Sequence, residues 1–192
     1  MLENLEEAKV KDILASFCCP LNRDIENFIH TSAIEFEKQS ISRTTLVGCS
    51  YRDNFMIAGY YTLANKAFCL KKEAFSKTKW KKVSKFAVYD SEFKRHMVSA
   101  PLIAQLGKNK QEGIPSLITG DELLKMACDD VAESQMLLGG KLIYLECENK
   151  PKLVEFYERN GFFVFGERPL DRDEKDDFDT DCLLQLLKVR RS

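Results

Sequence analysis

Long hydrophobic runs are missing from this chain of 192 residues. No apolar segment approaches the ~20 residues of a membrane-spanning helix, and the segment from Met1 to Val10 lacks the basic start and apolar core of a secretion signal. The composition, 44% hydrophobic and 31% charged, is typical of a folded globular protein. We therefore expect a soluble, cytoplasmic protein without membrane contact, folded as a single domain over residues 1–192.

Metal-binding patterns are also missing. The chain has only two histidines, His30 and His96, which are far apart in sequence and belong to no ligand motif. Its seven cysteines are odd in number and include no CxxC spacing, which favours reduced thiols in a cytosol over a disulfide framework. We therefore expect no metal site.

An excess of charge of one sign is absent as well, since 29 basic residues face 30 acidic ones and the net charge is −1. This balance excludes the strong overall positive field of a dedicated nucleic-acid-binding protein. Charge is uneven locally: Lys71 to Lys85 holds seven lysines, one glutamate and Trp80, whereas Glu167 to Asp181 is acidic. The basic segment is either a solvated face or a local site for phosphates.

The first half of the chain predicts one helix followed by a hairpin. Apolar residues recur at helical spacing from Asn22 to Lys38, and Ile25, Phe28, Ile29, Ala33 and Phe36 would form its buried stripe. Asn22 or Asp24 is available as the N-cap. Ser42 to Tyr51 and Asn54 to Phe68 are rich in β-branched and aromatic residues, which indicates an antiparallel pair of strands.

The second half alternates strands and helices. Thr119 and Glu122 fit a capping box, and Gly139-Gly140 would end the helix that it starts. The other predicted elements are a strand from Met97 to Leu106, a loop from Gly107 to Pro115, a strand from Lys141 to Cys147, a helix from a cap at Asn149 to Asn160-Gly161, and strands at Phe162 to Phe165 and Cys182 to Val189. This order predicts an α+β fold on a mixed sheet.

The segment from Pro101 to Phe165 carries the chemistry. It combines a strand, a loop that enters a helix, a second strand, and a helix whose last turn holds Tyr157 just before Asn160-Gly161-Phe162. A loop that feeds a helix N-terminus offers unpaired N–H groups to the phosphates of a ligand. Taken alone, Tyr157 is typical of a core aromatic residue on an amphipathic helix.

In this arrangement the chain resembles the GNAT superfamily of acetyl-CoA-dependent N-acetyltransferases. The resemblance runs from about Phe17 to Lys188 and is most specific in Ile118 to Leu124 and in Phe156 to Phe162. It implies a central, mostly antiparallel sheet in which two parallel strands splay apart to admit acetyl-CoA. These strands would be Leu102 to Lys108 and Leu142 to Cys147.

The resemblance also implies roles for individual residues. Tyr157 stands where the family places the general acid that protonates the departing CoA thiolate, and Asn149 could contact the cofactor. Backbone groups of Leu106, Gly107 and Lys108 would pair with pantetheine, and the N–H groups of Ser116, Leu117, Ile118, Thr119 and Gly120 would hold the pyrophosphate. Glu146 and Glu148 are each either the general base, acting directly or through water, or strand-edge glutamates without a catalytic role.

The phosphate loop departs from the family pattern Q/R-x-x-G-x-G/A. Ile118 stands at the position of its middle glycine, and only Gly120 remains. Asp121 and Glu122 follow directly, and carboxylates at this position oppose an anion unless Lys108, Lys110 or Lys125 offsets them.

Within the superfamily the chain looks most like the acetyltransferase toxins of bacterial toxin–antitoxin modules, which acetylate aminoacyl-tRNA. The features that carry this likeness are the helix after Cys19-Pro20, the strand Ile57 to Tyr61 and the Phe156-Tyr157 helix. We therefore expect an N-acetyltransferase that acts on aminoacyl-tRNA or on another small-molecule or protein amine, with a homodimer and an antitoxin as possible partners. The alternative is a non-catalytic CoA-binding or interaction protein on the same fold.

Overall fold

The computed structural model describes residues 7–51, 54–111, 116–172, 174, 178 and 180–190. Helices and strands follow one another along these residues in a mixed order. They are α1 Glu7–Leu14, α2 Arg23–Asn27, α3 Ala33–Lys38, β1 Ser42–Tyr51, β2 Asn54–Leu70, α4 Lys77–Val83, β3 Val88–Asp90, β4 Arg95–Lys108, α5 Gly120–Leu138, β5 Leu142–Cys147, α6 Pro151–Arg159, β6 Phe163–Pro169 and β7 Cys182–Val189.

The described strands form one seven-stranded sheet in the order β1-β2-β4-β5-β7-β6, with β3 paired to β4. The strands of this sheet are mostly antiparallel, and β4 and β5 are the parallel pair. The mixed, GNAT-like sheet with flanking helices that the sequence predicts is therefore confirmed.

The chain divides into two compact units. The first unit contains Met1–Ala64 and Ile103–Asp129, and the second contains Asn65–Leu102 and Asp130–Ser192. Each boundary falls inside an element, in β2, β4 and α5. The single domain expected from chain length stays a prediction.

The core of the first unit joins the N-terminal helices to β2. The Phe17 ring meets the Tyr60 ring edge-on at 5.0 Å between centroids, and both side chains are almost fully buried. Val10 and Leu14 of α1, one helical turn apart, are buried beside them. Our sequence analysis did not predict α1, because its apolar stripe is only two turns long.

The predicted helix from Asn22 to Lys38 is present and begins at the predicted cap, where the Asn22 side chain accepts a hydrogen bond from the Ile25 N–H at 3.3 Å. A π-helical segment at Phe28–Ser32 interrupts it between α2 and α3. Because such a segment adds a residue to one turn, it shifts every later side chain around the helix. Phe36 is therefore 38% exposed, whereas Glu37 is buried, so the prediction that Phe36 lies in the core is wrong.

The predicted hairpin is confirmed. β1 pairs with β2 antiparallel from Ser42 opposite Ala64 to Tyr51 opposite Asn54. The register shifts once, between Val47 and Gly48. The turn residues at positions 52 and 53 lie outside the described residues.

The core of the second unit is aromatic. Phe68 of β2 stacks on Tyr144 of β5 at 4.2 Å between centroids, and Phe165 of β6 packs against both rings. β7 pairs antiparallel with β5 on one side and with β6 on the other. The strands predicted at Lys141 to Cys147, Phe162 to Phe165 and Cys182 to Val189 are confirmed within a few residues.

The lysine-rich segment contains a helix that the sequence analysis did not predict. α4 begins after Ser76, whose hydroxyl accepts a hydrogen bond from the Lys79 N–H at 3.3 Å. Val83 at its end is buried, and the Trp80 ring packs 5.7 Å from Phe75. The short helix needs few apolar residues to dock, so lysines occupy its remaining positions.

Candidate functional site

The end of β4 lies in the first unit and extends further than predicted. Gly107 and Lys108 belong to the strand and not to the following loop. A side chain on Gly107 would meet the Ile25 methyl group at 2.4 Å and the rings of Phe17 and Tyr60 at 3.2 Å. Close packing therefore requires glycine at this position, and it keeps the strand extended past Leu106.

Asn109 fixes the exit of β4. Its backbone N–H donates to the Ala58 carbonyl at 2.9 Å, and its side-chain amide donates to the Ile57 carbonyl at 2.8 Å. Its side-chain oxygen accepts the Cys18 N–H at 3.0 Å. The side chain is 9% exposed, so these bonds replace water for groups that would otherwise be unpaired. No spacing pattern in the sequence pointed to this residue.

Side-chain hydrogen bonds link the described part of the predicted phosphate loop to the end of β4. The Lys108 ammonium donates to the Ser116 hydroxyl at 3.2 Å, and that hydroxyl donates to the Ile118 carbonyl at 2.9 Å. Ile118 is buried, whereas Ser116 and Thr119 are exposed. Positions 112–115 of this loop lie outside the described residues. Of the predicted cofactor contacts, the structure thus brings Lys108 and Ser116 together.

The predicted capping box at the start of α5 is confirmed. The Glu122 carboxylate accepts the Thr119 N–H at 2.8 Å and the Thr119 hydroxyl at 2.7 Å, and the hydroxyl accepts the Glu122 N–H at 3.1 Å. Hydrogen bonds from the Thr119 side chain and then from its backbone hold the pKa of Glu122 below its usual range. The resemblance assigns the Thr119 N–H to the pyrophosphate. In this structure the charged Glu122 carboxylate already accepts that N–H.

The compensating lysines are only partly available. Lys125 forms an ion pair with Asp129 at 2.5 Å on the exposed face of α5. Lys108 keeps its contact to the Ser116 hydroxyl, which is a neutral group. Lys108 is therefore better placed than Lys125 to interact with an added anion.

Tyr157 lies in the second unit, on the last full turn of α6. Its ring is 8% exposed and meets the rings of Phe156 at 4.9 Å and Phe162 at 5.9 Å. Burial raises the pKa of its phenol above the usual range, and the nearby Cys147 thiol raises it further. Among the described residues, none accepts a hydrogen bond from the Tyr157 hydroxyl or donates one to it.

The helix that carries Tyr157 starts one residue later than predicted. Its N-cap is Lys150, which provides no side-chain cap, and Pro151 occupies the first turn. The prediction that Asn149 caps α6 is therefore wrong, since Pro151 fixes the helical start, and Asn149 is exposed. The helix ends as predicted at Asn160, followed by Gly161 at φ +85°.

Glu146 belongs to a cluster of charged side chains in the second unit. Its carboxylate contacts Arg168 at 2.6 Å and Lys66 at 3.2 Å, and accepts a hydrogen bond from Tyr144. Burial opposes its ionisation, but the hydrogen bonds from Arg168 and Tyr144 outweigh that effect, so its pKa lies below the usual range. A carboxylate held in this way is a weak base, and a structural role explains it better.

Glu148, the other candidate base, pairs with Lys150 at 2.7 Å and has a side chain that is 13% exposed. Burial raises the pKa of the neighbouring Cys147 thiol to about 12, and the Glu148 charge contributes in the same direction. That thiol is therefore protonated at neutral pH, in agreement with a mechanism that needs no cysteine nucleophile.

Within the described residues, no three His, Cys, Asp or Glu side chains are grouped in a way that could hold a metal ion. Across the same part of the chain, no helix is long and apolar enough to cross a membrane.

Comparison by sequence gives no relative, since no family model and no curated protein matches the chain. Comparison by structure finds similar proteins. AtaT complexed with acetyl-methionyl-tRNAfMet matches 90% of this chain and 85% of its own, with 18% identity and a TM-score of 0.60. A tyrosine-to-phenylalanine mutant of KacT matches 93% and 89% of the two chains, with 18% identity and a TM-score of 0.60.

A third similar structure is AtaTR bound with AcCoA, which covers 89% of this chain and 84% of its own, with 21% identity and a TM-score of 0.55. At these identities a likeness establishes the fold and not the activity. The toxin-like resemblance predicted from the sequence is thus confirmed as a structural likeness, and the chain has the GNAT-like fold of these proteins.

Proposed function

We propose that this chain is an N-acetyltransferase that transfers the acetyl group of acetyl-CoA to a primary amine. The neutral amine nitrogen attacks the thioester carbonyl and forms a tetrahedral intermediate. Collapse of that intermediate breaks the C–S bond, and the CoA thiolate takes up a proton while the nitrogen loses one. The products are an amide and CoA, so no covalent bond to the enzyme is formed.

The observation that carries this proposal is the hydroxyl of Tyr157. The residue is 8% exposed, yet its oxygen is not among the buried side-chain atoms without a partner, and no described residue forms a hydrogen bond with it, so the hydroxyl is open to a ligand. Its raised pKa keeps the proton on the oxygen throughout the neutral range. Such a group is suited to donate to negative charge that develops on a leaving sulfur atom, which is the role that the GNAT resemblance assigns to it.

Residues at the end of β4 and at the start of α5 would supply most of the cofactor contacts. By the resemblance, the backbone of Leu106, Gly107 and Lys108 pairs with pantetheine, and the extension of β4 through Lys108 provides the extended backbone that this pairing requires. The N–H groups from Ser116 to Gly120 would meet the pyrophosphate, where the Lys108 ammonium adds positive charge. Asn149, exposed and without a capping role, remains available for a cofactor contact.

For the acceptor we propose the amino group of an aminoacyl-tRNA. The support is the likeness to AtaT, whose structure is described as a complex with acetyl-methionyl-tRNAfMet. A protein antitoxin belongs to the same proposal, since AtaT is also described as bound to the C-terminus of the antitoxin AtaR, at a TM-score of 0.54. We also propose that the chain forms a homodimer, and only the resemblance to the family supports this.

Replacement of Tyr157 by Phe tests the mechanism. We expect acetyl transfer from labelled acetyl-CoA to total aminoacyl-tRNA to fall by about 100-fold or more, because a general acid commonly contributes that much. Binding of acetyl-CoA should stay nearly unchanged, since the ring volume is kept. Tyr89→Phe is the matched control, as it deletes a hydroxyl at a side chain that is 55% exposed. Unchanged turnover in Tyr157→Phe would remove this residue from the mechanism.

A non-catalytic protein on the same fold is the second candidate, and the Glu122 carboxylate at the start of α5 favours it. Thermal unfolding with acetyl-CoA separates the two. A ligand at 100 times its dissociation constant adds about 2.7 kcal/mol to the free energy of unfolding, or a shift of several degrees for a chain of this size. A shift with acetyl-CoA supports the transferase, and its absence at high ligand supports the second candidate.

A further inference from the structure

The second unit contains a cavity of about 1290 Å³ whose charged side chains are all of one sign. Three of its lysines come from α4 and the turn that follows it: Lys79, Lys82 and Lys85. Its other basic residues are Lys141, Arg159, Lys188 and Arg190. No acidic residue is among the described residues that line it. We refer to it as the basic cavity.

Ion pairs do not neutralise the three lysines that α4 and the turn after it contribute to the basic cavity. Across the described part of the chain, no ion pair involves Lys79, Lys82 or Lys85. The Lys79 ammonium lies 4.0 Å above the Phe163 ring, and the Arg190 side chain donates to the neutral Gln135 amide oxygen at 3.2 Å. Like charges gathered in one concave surface repel each other, so this arrangement favours an anionic ligand.

The size and lining of the basic cavity indicate which anion. It is larger than the ~300–1,000 Å³ of ordinary small-molecule pockets, and its cations come from several separate elements. A chain of phosphates spaced along a backbone matches such a distribution better than one compact anion. Phe86 and Phe163 in the lining pack partly against the core of the second unit, and the Lys79 ammonium covers the Phe163 ring, so the cavity would contact a ligand mainly through its cations.

We infer that the basic cavity binds the phosphodiester backbone of an RNA strand. This inference rests in part on the proposed function, because it assigns the RNA that would carry the acceptor amine to a particular surface. RNA binding requires neither acetyl-CoA nor turnover, so it can be measured separately. An acidic peptide is the competing occupant, and the spread of the cations over several separate elements favours the regularly spaced phosphates of RNA over it.

The sequence left the segment from Lys71 to Lys85 as either a solvated face or a local site for phosphates. The structure places Lys79 and Lys82 in the lining of the basic cavity, whereas Lys81 on the same helix is not part of it. Lys77, at the start of α4, is likewise absent from the lining. α4 therefore carries two pairs of lysines: Lys79 and Lys82 line the basic cavity, and Lys77 and Lys81 lie outside it.

The test compares two double variants of the full chain with the same change in net charge. Lys79→Glu with Lys82→Glu alters the basic cavity, and Lys77→Glu with Lys81→Glu is the matched control. Binding of labelled, deacylated tRNA is measured by fluorescence anisotropy between about 50 and 200 mM salt, the range over which phosphate contacts lose most affinity. Neutral versions with Gln at the same positions serve if a Glu variant fails to fold, as judged by circular dichroism.

We expect the cavity variant to bind tRNA about tenfold more weakly or worse, and its salt dependence to flatten by about one unit of slope per lysine lost. The control variant should stay within about twofold of the unaltered chain. An equal loss in both variants would mean that only overall charge matters, and would overturn the inference. So would binding of a poly-glutamate peptide at the basic cavity without any binding of tRNA.

Acetyl-CoA separates this inference from the proposed function. Both variants should keep the thermal shift that the unaltered chain shows with acetyl-CoA. If the unaltered chain shows no shift and yet binds tRNA through the basic cavity, the transferase proposal fails and the RNA inference stands. If it shows the shift and the cavity variant binds tRNA normally, the RNA inference fails and the transferase proposal stands.

Discussion

The carboxylate of Glu122 accepts two hydrogen bonds from Thr119, one from the backbone N–H at 2.8 Å and one from the hydroxyl at 2.7 Å. This pair closes the N-terminus of α5 with a negative charge of the chain's own. In the GNAT resemblance the same helix start would receive the pyrophosphate of acetyl-CoA, so Glu122 and the cofactor compete for the same N–H group and the same positive end of the helix dipole.

Replacement of Glu122 by Gln is therefore expected to strengthen acetyl-CoA binding. A glutamine still accepts the Thr119 N–H, so the cap is kept while the charge is removed. Because the site is exposed to solvent and salt, the gain should be small, roughly two- to fivefold in affinity by titration calorimetry. Glu133→Gln, an exposed carboxylate further along α5, is the control. Weaker binding by Glu122→Gln would show that the carboxylate supports the cofactor instead.

Removal of the Thr119 hydroxyl tests the cap itself. Thr119→Ala is expected to lower the free energy of unfolding by about 1 kcal/mol, as for other N-cap residues, because the Glu122 N–H and carboxylate both lose a partner. The melting temperature should drop by about 2–4 °C. Thr119→Ser keeps the hydroxyl and should melt close to the unaltered chain. A serine variant that melts as low as the alanine variant would contradict this explanation.

Glu146→Gln is expected to lower stability without abolishing acetyl transfer. Loss of one partner of a buried ion pair commonly costs about 3–5 kcal/mol, and the cost should be smaller here because Arg168 keeps Glu174 at 2.6 Å. Glu133→Gln, which alters an exposed carboxylate of α5, is the control. Urea unfolding gives the stability and the transfer assay gives the activity. Loss of activity in a well-folded Glu146→Gln variant would identify Glu146 as the base after all.

The effect of Glu146 on stability should depend on pH in one direction. Its pKa is lowered in the folded chain, so its ionised form contributes stability at every pH above the unfolded value of about 4.3. That contribution disappears as the pH falls through the lower, folded pKa. The difference in stability between the unaltered chain and Glu146→Gln should therefore be largest near neutral pH and shrink below about pH 4. A difference that grows in acid would contradict this assignment.

Asn109→Ala is expected to destabilise the first unit and to loosen the end of β4. The Cys18 N–H and the Ile57 carbonyl would each lose a buried partner, and an unpaired buried group costs about 1–3 kcal/mol. Asn109→Asp separates the two contacts, since it keeps an acceptor for Cys18 and loses the donor to Ile57. Hydrogen exchange of the β4 amides is the measurement. Unchanged exchange in Asn109→Ala would show that Gly107 packing alone fixes the strand.

The sequence predicted those parts of the fold that depend on local patterns. The Thr119–Glu122 box, the Gly161 helix stop and the β1–β2 hairpin all follow from residues close in sequence, and the structure confirms them. The burial of Phe36 was predicted wrongly because regular helical spacing cannot reveal a π-helical turn. α1 and α4 were missed because each has too few apolar residues to give a clear period.

The candidate site residues divide in the same way. Tyr157 could be proposed from the sequence because its position follows from a local motif at the end of a helix. Asn109, Arg168 and the second half of the basic cavity were not found, because their partners are brought together by strand pairing over long sequence separations. Arg190 and Lys141, for example, share the cavity only because β7 runs beside β5.

The π-helical segment at Phe28–Ser32 gives this helix one residue more than regular winding needs. The wide turn absorbs that residue, so deletion of one residue there would restore regular winding and leave the flanking segments facing as they do now. Glu37 would stay buried, and its carboxylate would keep the Thr44 N–H that it accepts at 3.0 Å. A loss of three nucleotides from the coding sequence at this point would therefore do less damage than the same loss elsewhere in the helix, where everything that follows would turn by about 100°.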